Sequence, residues 1–322
     1  IINGAMTVDQ RNAGAAVTTA TGFIYTLDRF SAYQSQASKY SVQQNAGAVT
    51  PPVGFKNYLG VTSLSAYAVA AGDLFMITQP IEGLNVADLA WGTASAATVT
   101  LSFRVYSSLT GTFSGSILNS AYNRSYPFTY SVPTANTWVT ISVTIAGDTT
   151  GTWVTTSGVG MYVSFSLGMG STYSGTASSW AAAQYWAATG ATSVVGTSGA
   201  TFYITGVQLE AGSFGSSFAH ENYSDTLQKC QRYYYKSGGV YQSGFSYGVN
   251  GSVDGMRTSW NFPVTMRANP ATSITGGSDG GSVSSIGIIA DSENSATINL
   301  VSNNAYNEVW WEGGTVTADA EL

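Results

Sequence analysis

Apolar and polar residues alternate with period two along several long stretches of this chain, the signature of strands with one buried and one open face. In Thr98–Tyr106, Val99, Leu101, Phe103 and Val105 face one way. In Trp138–Ile145 the same role falls to Val139, Ile141, Val143 and Ile145, and a third stretch repeats it with Met161, Val163, Phe165 and Leu167. A fourth, Thr201–Leu209, begins in phase with Phe202 and Ile204 and then slips to Val207 and Leu209. A bulge at Gly206 would keep all four on one face. Leu74–Thr78 is a shorter apolar run, and Phe23–Phe30 reads as a strand ending in Asp28-Arg29. Gly- and Ser-rich turns separate these segments. Long strands with one polar face and no intervening helices predict an antiparallel sandwich or jelly roll. Ala87–Trp91 and Ala181–Ala188 read equally as helical turns or loops.

The period changes only once. Tyr223, Leu227, Cys230 and Tyr234 are spaced 4, 3 and 4, so they fall on one side of a helix. Asn222 or Ser224 can cap its start, with Glu221 and Asp225 at the positive end of the dipole. Arg232 and Lys236 suit the negative end, and Ser237-Gly238-Gly239 supplies a stop. The narrow stripe fits a single seam, either against the chain's own body or against copies of itself. Beyond it, Trp260, Phe262 and Val264 alternate, Pro263 marks a strand end, and Ile286–Ile289, Thr297–Val301, Val309–Trp311 and Thr315–Leu322 complete a further set of strands. The expected organisation is all-β: a jelly-roll sandwich over 1–218, a linking helix over 219–237, and a small β-domain over 238–322 that self-association would help to stabilise.

Composition narrows the function. Charged residues make up 9% of the 322, against about 25% in an ordinary soluble domain. Gly, Ser, Thr, Asn and Tyr replace them, as suits an exposed extracellular or virion surface. Net charge is −6, and the 11 basic residues are scattered, which speaks against nucleic acid. No segment has the ~20 uninterrupted apolar residues of a membrane helix, so no membrane insertion is expected. A single cysteine, Cys230, excludes an internal disulfide framework, and its place on the helix stripe suits a buried small hydrophobe. No basic-then-apolar leader opens the sequence.

Several blocks, in this order, resemble one family. They are NGAMTVDQRN (Asn3–Asn12), YTLDRF (Tyr25–Phe30), DLAWGTASAATVTLSFRVYSS (Asp88–Ser108), TFYITGVQLEAG (Thr201–Gly212), CQRYYYK (Cys230–Lys236), FPVTMRANP (Phe262–Pro270) and TADAEL (Thr317–Leu322). The family is that of bacteriophage tail-fibre-like virion proteins, and ITGVQLEAG followed by CQRYY is the most specific part. The resemblance implies a carbohydrate-binding-module-like jelly roll, a short linking helix and a C-terminal β-domain. It also implies a homotrimer in an exposed virion appendage, in contact with other virion proteins. The chain departs from the pattern at Phe30 and Arg104, where Trp is expected, and in lacking a Pro before Phe218.

Catalytic readings find little support. Gly244-Phe-Ser246-Tyr-Gly248 has nucleophile-elbow spacing, but no helix pattern follows and His220 is the sole histidine. Cys230 and His220 make no convincing pair, since one lies on the apolar stripe and the other precedes the helix. Asp73, Glu82, Asp88, Asp148 and Glu210 form no suggestive pair for glycoside cleavage. No His/Cys cluster or acidic cation loop appears, so neither a metal nor a cofactor is expected. Aromatic residues, at 13%, are the remaining chemistry. Tyr173, Trp180, Tyr185 and Trp186 crowd a Ser/Ala-rich stretch, Ser171–Gly190, where exposed rings could stack on the C–H faces of sugars. The same rings would equally serve as core or subunit-interface anchors. The expected function is therefore a non-enzymatic virion protein of tail-fibre type that binds a host surface glycan. A capsid-decorating head-fibre protein and a glycan depolymerase are the alternatives.

Overall fold

The computed structural model describes residues 1–18, 20–245, 247–249, 252–254, 256–281, 283–302 and 308–322; the side chains of 240–255, 280–282 and 302–309 are outside the description. The chain divides into two compact units, 1–226 together with Leu322, and 227–321.

The first unit is a jelly-roll β-sandwich. Its strands are β1 (Val17–Thr18), β2 (Gly22–Leu27), β3 (Phe30–Gln34), β4 (Tyr40–Gln44), β5 (Leu59–Ser63), β6 (Leu74–Glu82), β7 (Val99–Ser107), β8 (Gly111–Leu118), β9 (Ser125–Val132), β10 (Val139–Ile145), β11 (Val159–Met169), the short β12 (Ser174–Gly175) and β13 (Ala187–Ala188), and β14 (Thr201–Ala211). One layer runs β1-β4-β5-β14-β7-β10 and the other β2-β3-β6-β11-β8-β9, each strand antiparallel to its neighbours. The alternating residues do what their period demands. Val99, Leu101, Phe103, Val105, Met161, Val163, Phe165, Leu167, Phe202 and Ile204 are all buried in one core between the layers.

The bulge in β14 falls where the phase slips. Register shifts between Thr205 and Gln208, Gly206 takes φ 62°, and Val207 returns to the core. A Cβ at Gly206 would also sit 2.6 Å from the Phe55 ring. Gly206→Ala is therefore expected to cost about 1–2 kcal/mol from backbone strain alone, and more as Phe55 is displaced. A urea midpoint unchanged from wild type would contradict this.

Phe23–Phe30 is not one strand. It is a β2–β3 hairpin whose turn is Asp28-Arg29, with Arg29 at φ 69°. That pair is buried: Arg29 donates to the Pro80 carbonyl at 2.5 Å, and Asp28 accepts the Gln10 backbone and side-chain N–H groups at 2.6 and 2.7 Å. Ala87–Leu89 is a short 3-10 turn.

The only α-helix among the described residues, α1, spans Tyr223–Gln231, shorter than the expected 219–237. Tyr234 is not on it. It opens strand β15 (Tyr234–Phe245), which is followed by β16 (Tyr247–Val249), β17 (Ser252–Asp254), β18 (Met256–Asn261), β19 (Ala271–Thr275), β20 (Ser278–Gly281), β21 (Val283–Ala290), β22 (Ser295–Ser302) and β23 (Glu308–Asp319). Tyr234, Tyr235 and Lys236 pair with Asp319, Ala318 and Thr317 of β23, and a run of tyrosines favours such pleated pairing over a helix end. Gly238-Gly239 lies at a register shift of that strand rather than at a helix stop. The predicted stripe therefore breaks up. Tyr223 is 60% exposed, Leu227 is half-buried, and the buried residues near this helix are Thr226, Cys230 and Tyr233.

In the second unit β15-β23-β19, with β20 also on β23, forms one sheet and β18-β22-β21 another. Trp260, Phe262, Ile298, Leu300, Trp311 and Val316 share its core. Trp311 is buried and Trp310 half-buried, as opposite faces of a strand require.

Candidate functional site

The outward face of the β2-β3-β6-β11-β8-β9 sheet is the chemically distinctive surface. Alternation sends Leu74 and Met76 outward from β6, Tyr162 and Ser164 from β11, Ser114, Ser116 and Leu118 from β8, Ser125 from β9, Tyr33 from β3 and Phe23 from β2. The pattern predicts such serines at solvent. Instead Ser114, Ser116, Ser125 and Ser164 are fully buried.

The segment 171–190 covers them. Ser116 donates to the Tyr185 carbonyl at 2.7 Å and Ser125 to that of Ala183 at 2.7 Å. Ser114 accepts the Ala188 N–H at 2.6 Å, and Ser164 donates to the Trp186 carbonyl at 3.4 Å. The parallel β12–β13 pair closes the segment on itself. Small hydroxyls thus replace water for a strap of irregular chain, which could not otherwise lie on a sheet without unmet carbonyls.

The strap separates the four aromatics picked out in the sequence. Trp180 is half-buried in a cluster with Trp91, Trp153 and Tyr126 at 5.2–5.6 Å between ring centres, and its indole N–H donates to the Ala146 carbonyl at 2.8 Å. Tyr185 packs over Gly175, where a Cβ would have no room. Both are anchors of the strap and not an open stacking platform. Trp186 is only 1% exposed and packs on Leu74, Met76 and Leu118. Tyr173 is half-buried beside it.

Tyr173 and Trp186 do meet, as walls of one groove. Phe23, Tyr33, Leu74, Met76, Tyr122 and Gln184 complete its lining, its volume is about 210 Å³, and among the described residues no charged side chain lines it. Phe23, 45% exposed, stands edge-on to Tyr33 at 4.7 Å. Tyr122 lies 5.5 Å from Trp186 and donates to the Tyr162 hydroxyl at 3.0 Å. Burial, reinforced by Tyr122, pushes the Tyr162 phenol far above its ordinary range, so it stays neutral. A tight turn, in which Asn119 accepts the Asn123 and Arg124 N–H groups at 3.1 Å, holds Tyr122 at φ 56°. A bulky residue in the left-handed region is strained. The Trp186 indole N–H is buried and has no hydrogen-bond acceptor among the described residues.

Phe23, Tyr33, Tyr122 and Gln184 carry no local signal that marks them. They come from a hairpin, a turn and a strap distant in sequence.

A larger cavity of about 300 Å³ is lined by Asn3, Thr7, Gln208, Glu210, His220 and Glu221 among others. Its polar groups serve the local turn: Gln208 accepts the Ala219 N–H at 2.8 Å, and Glu210 accepts the Ser216 N–H at 3.0 Å and its hydroxyl at 2.5 Å. His220 packs against Phe55 and Phe218 at 5.1 and 4.9 Å. Cys230 is buried. Ser246, centre of the nucleophile-elbow spacing, lies outside the described residues. Among the described residues no group of three His, Cys, Asp or Glu could hold a metal ion, and no helix is long and apolar enough to cross a membrane.

No protein-family model matches the chain, and no curated protein matches it. Among solved structures, the enzymatically active domain of tailspike protein 4 from bacteriophage CBA120 is similar over 57% of this chain and 19% of that one, at 12% identity and a TM-score of 0.34. A family 11 carbohydrate-binding module from Clostridium thermocellum, solved with a β-1,3-1,4-mixed-linked tetrasaccharide, is similar over 62% of this chain and 100% of that one, at 12% identity and a TM-score of 0.31. A family 4 carbohydrate-binding module is similar over 65% and 98%, at 14% identity and a TM-score of 0.30. At such scores the functional reading rests on this chain's own geometry.

Proposed function

We propose that the first unit is a glycan-binding module that binds without cleaving, carried by a bacteriophage virion protein at an exposed appendage. The observation that carries the binding role is the groove: an uncharged aromatic wall of Phe23, Tyr33, Tyr122, Tyr173 and Trp186, part of it held in a strained backbone. Ring faces suit the C–H faces of sugars, and the few polar atoms set orientation. The virion placement and the homotrimer rest on the ordered sequence blocks from Asn3 to Leu322. Labelling on intact particles tests that placement: label on the capsid shell favours the decoration role over the fibre.

The binding role is tested by titrating the protein with a panel of glycans, read by tryptophan fluorescence. Phe23→Ala removes a half-exposed ring, so folding is expected to be unchanged while affinity falls by about tenfold, the equivalent of ~1.4 kcal/mol. Equal affinity in Phe23→Ala and Tyr173→Ala would remove the groove from consideration. Release of reducing ends from a bound polysaccharide would overturn the non-catalytic part.

A further inference from the structure

We infer that a second sugar site lies on the outward face of the β1-β4-β5-β14-β7-β10 sheet, and that it takes a carboxylate-bearing sugar gripped by Arg104. This rests on the glycan-binding reading above and puts the acidic unit on the opposite layer of the sandwich from the groove.

Alternation turns Arg104 outward from β7, between its register partners Thr140 of β10 and Thr205 of β14. The rows of side chains to either side are roofed by other parts of the unit. At one end the loop before β5 arrives: the Trp138 indole N–H donates to the Thr50 carbonyl at 2.9 Å, and the Thr205 hydroxyl to that of Asn57 at 2.7 Å. At the other end the chain after β14 folds back: the Thr100 hydroxyl donates to the Gly212 carbonyl at 2.9 Å, and that of Thr144 to Ser213 at 3.1 Å. Arg104 and Thr140 are left between these covers. Thr140 is exposed and Arg104 half-buried. The guanidinium nitrogens reach the surface, and none has a hydrogen-bond or ion-pair partner among the described residues.

The chemistry of that gap selects the ligand. Arginine keeps its charge at any ordinary pH, and its planar fork of donors matches the two oxygens of a carboxylate. Among the described residues the outward side of β7, β10 and β14 carries one carboxylate, Glu210. It is held at the far end by the Ser216 N–H at 3.0 Å and the Ser216 hydroxyl at 2.5 Å, so it does not neutralise Arg104. The Thr140 hydroxyl both donates and accepts, as a ring hydroxyl requires. Trp138, half-buried on the same face two residues before Thr140 and fixed by its bond to Thr50, supplies apolar surface for a sugar's C–H groups. A chain of net charge −6 repels a densely charged polyanion, whereas one guanidinium suits a glycan whose negative charges are isolated, such as a uronate or a sialate.

The test is calorimetric titration of the intact chain with uronate-containing and sialylated oligosaccharides, their carboxyl-reduced counterparts and a sulfated oligosaccharide. The carboxylate forms are expected to bind about tenfold more tightly than the reduced ones at low salt, the range of a charge-assisted hydrogen bond, with the advantage shrinking as salt rises. Arg104→Gln is expected to bring the preference for carboxylate over reduced sugar to near one, and Arg104→Lys, which keeps the charge and loses the fork, to restore only part of it. Phe23→Ala, on the other layer, is expected to leave that preference unchanged. If reduced and acidic sugars bind the wild type equally, if the sulfated sugar binds more tightly than the carboxylates, or if Arg104→Gln keeps the preference, the carboxylate site is wrong and the glycan-binding reading stands. If no sugar of any class binds, the glycan-binding reading fails and takes this inference with it. The comparison of acidic with reduced sugars needs no variant, so an Arg104→Gln chain that failed to fold would leave the test intact.

Discussion

Phe103→Ala is expected to lower the unfolding free energy of the sandwich by about 3–5 kcal/mol, the usual cost of deleting a fully buried phenylalanine. Phe103 has no exposed surface, and its ring meets Tyr130 of β9 and Phe165 of β11 edge-on, each at 5.0 Å. It comes from one sheet and they from the other, so it bridges the two layers. Alanine would leave a cavity between rings held in strands, where collapse to fill the space is restricted. The check is a urea titration, with the midpoint shifting and the slope preserved. Thr140→Ala, at an exposed position of the paired strand β10, serves as control and should stay within about 0.5 kcal/mol. A loss below about 1 kcal/mol for Phe103→Ala would mean that the layers are not packed as described.

Asp148→Ala is the second large effect. Asp148 is buried and accepts the Arg124 Nε–H and NH2 groups at 2.7 and 2.6 Å, the Thr150 N–H and hydroxyl at 3.1 Å, and the Trp153 indole N–H at 3.3 Å. Burial by itself would raise its pKa. The Arg124 hydrogen bonds, with Thr150 and the guanidinium charge, outweigh burial and hold the carboxyl below its ordinary range. Removing it strands Arg124 and loosens the Trp91–Trp153–Trp180 cluster that anchors the strap. The expected loss is about 3–5 kcal/mol. The pH dependence has a definite sign. A depressed carboxylate stabilises the fold fully above its unfolded pKa of about 3.9, and that contribution disappears as pH falls through the lower folded value. Asp73 acts in the same direction: burial opposes ionisation there too, but the Ala70 N–H and the Ser35 and Tyr67 hydroxyls outweigh it. Stability should thus be flat above about pH 5 and decline in acid, more steeply for the wild type than for Asp148→Ala. Urea midpoints from pH 3 to 7 give the comparison; equal acid slopes would mean that Asp148 is not a depressed carboxylate.

The parts of the fold that could be read in advance are those set by neighbours in the chain. The alternating quartets at Val99–Val105 and Met161–Leu167 became core because a strand has no other way to sort its side chains. The phase slip at Gly206 pointed to a bulge, and the bulge is there, because glycine alone enters the left-handed region without cost. The site was far less legible. Of Tyr173, Trp180, Tyr185 and Trp186, crowding in sequence suggested one surface, yet Trp180 and Tyr185 pack away from the groove while Tyr173 and Trp186 line it. Of the other lining residues, Phe23 and Tyr33 sit in a hairpin and Tyr122 in a turn, with nothing in their own surroundings to mark them.

Local pattern alone determined that this is a sheet protein with little charge and an aromatic surplus, because side-chain period and composition are properties of adjacent residues. Tertiary structure decided the rest. Whether Ser114, Ser116 and Ser125 meet water or carbonyls depends on which segment arrives over them, and 171–190 does. Tyr234 joins a strand and not the helix because its pairing partner, Asp319, lies 85 positions further on, beyond the reach of any local pattern.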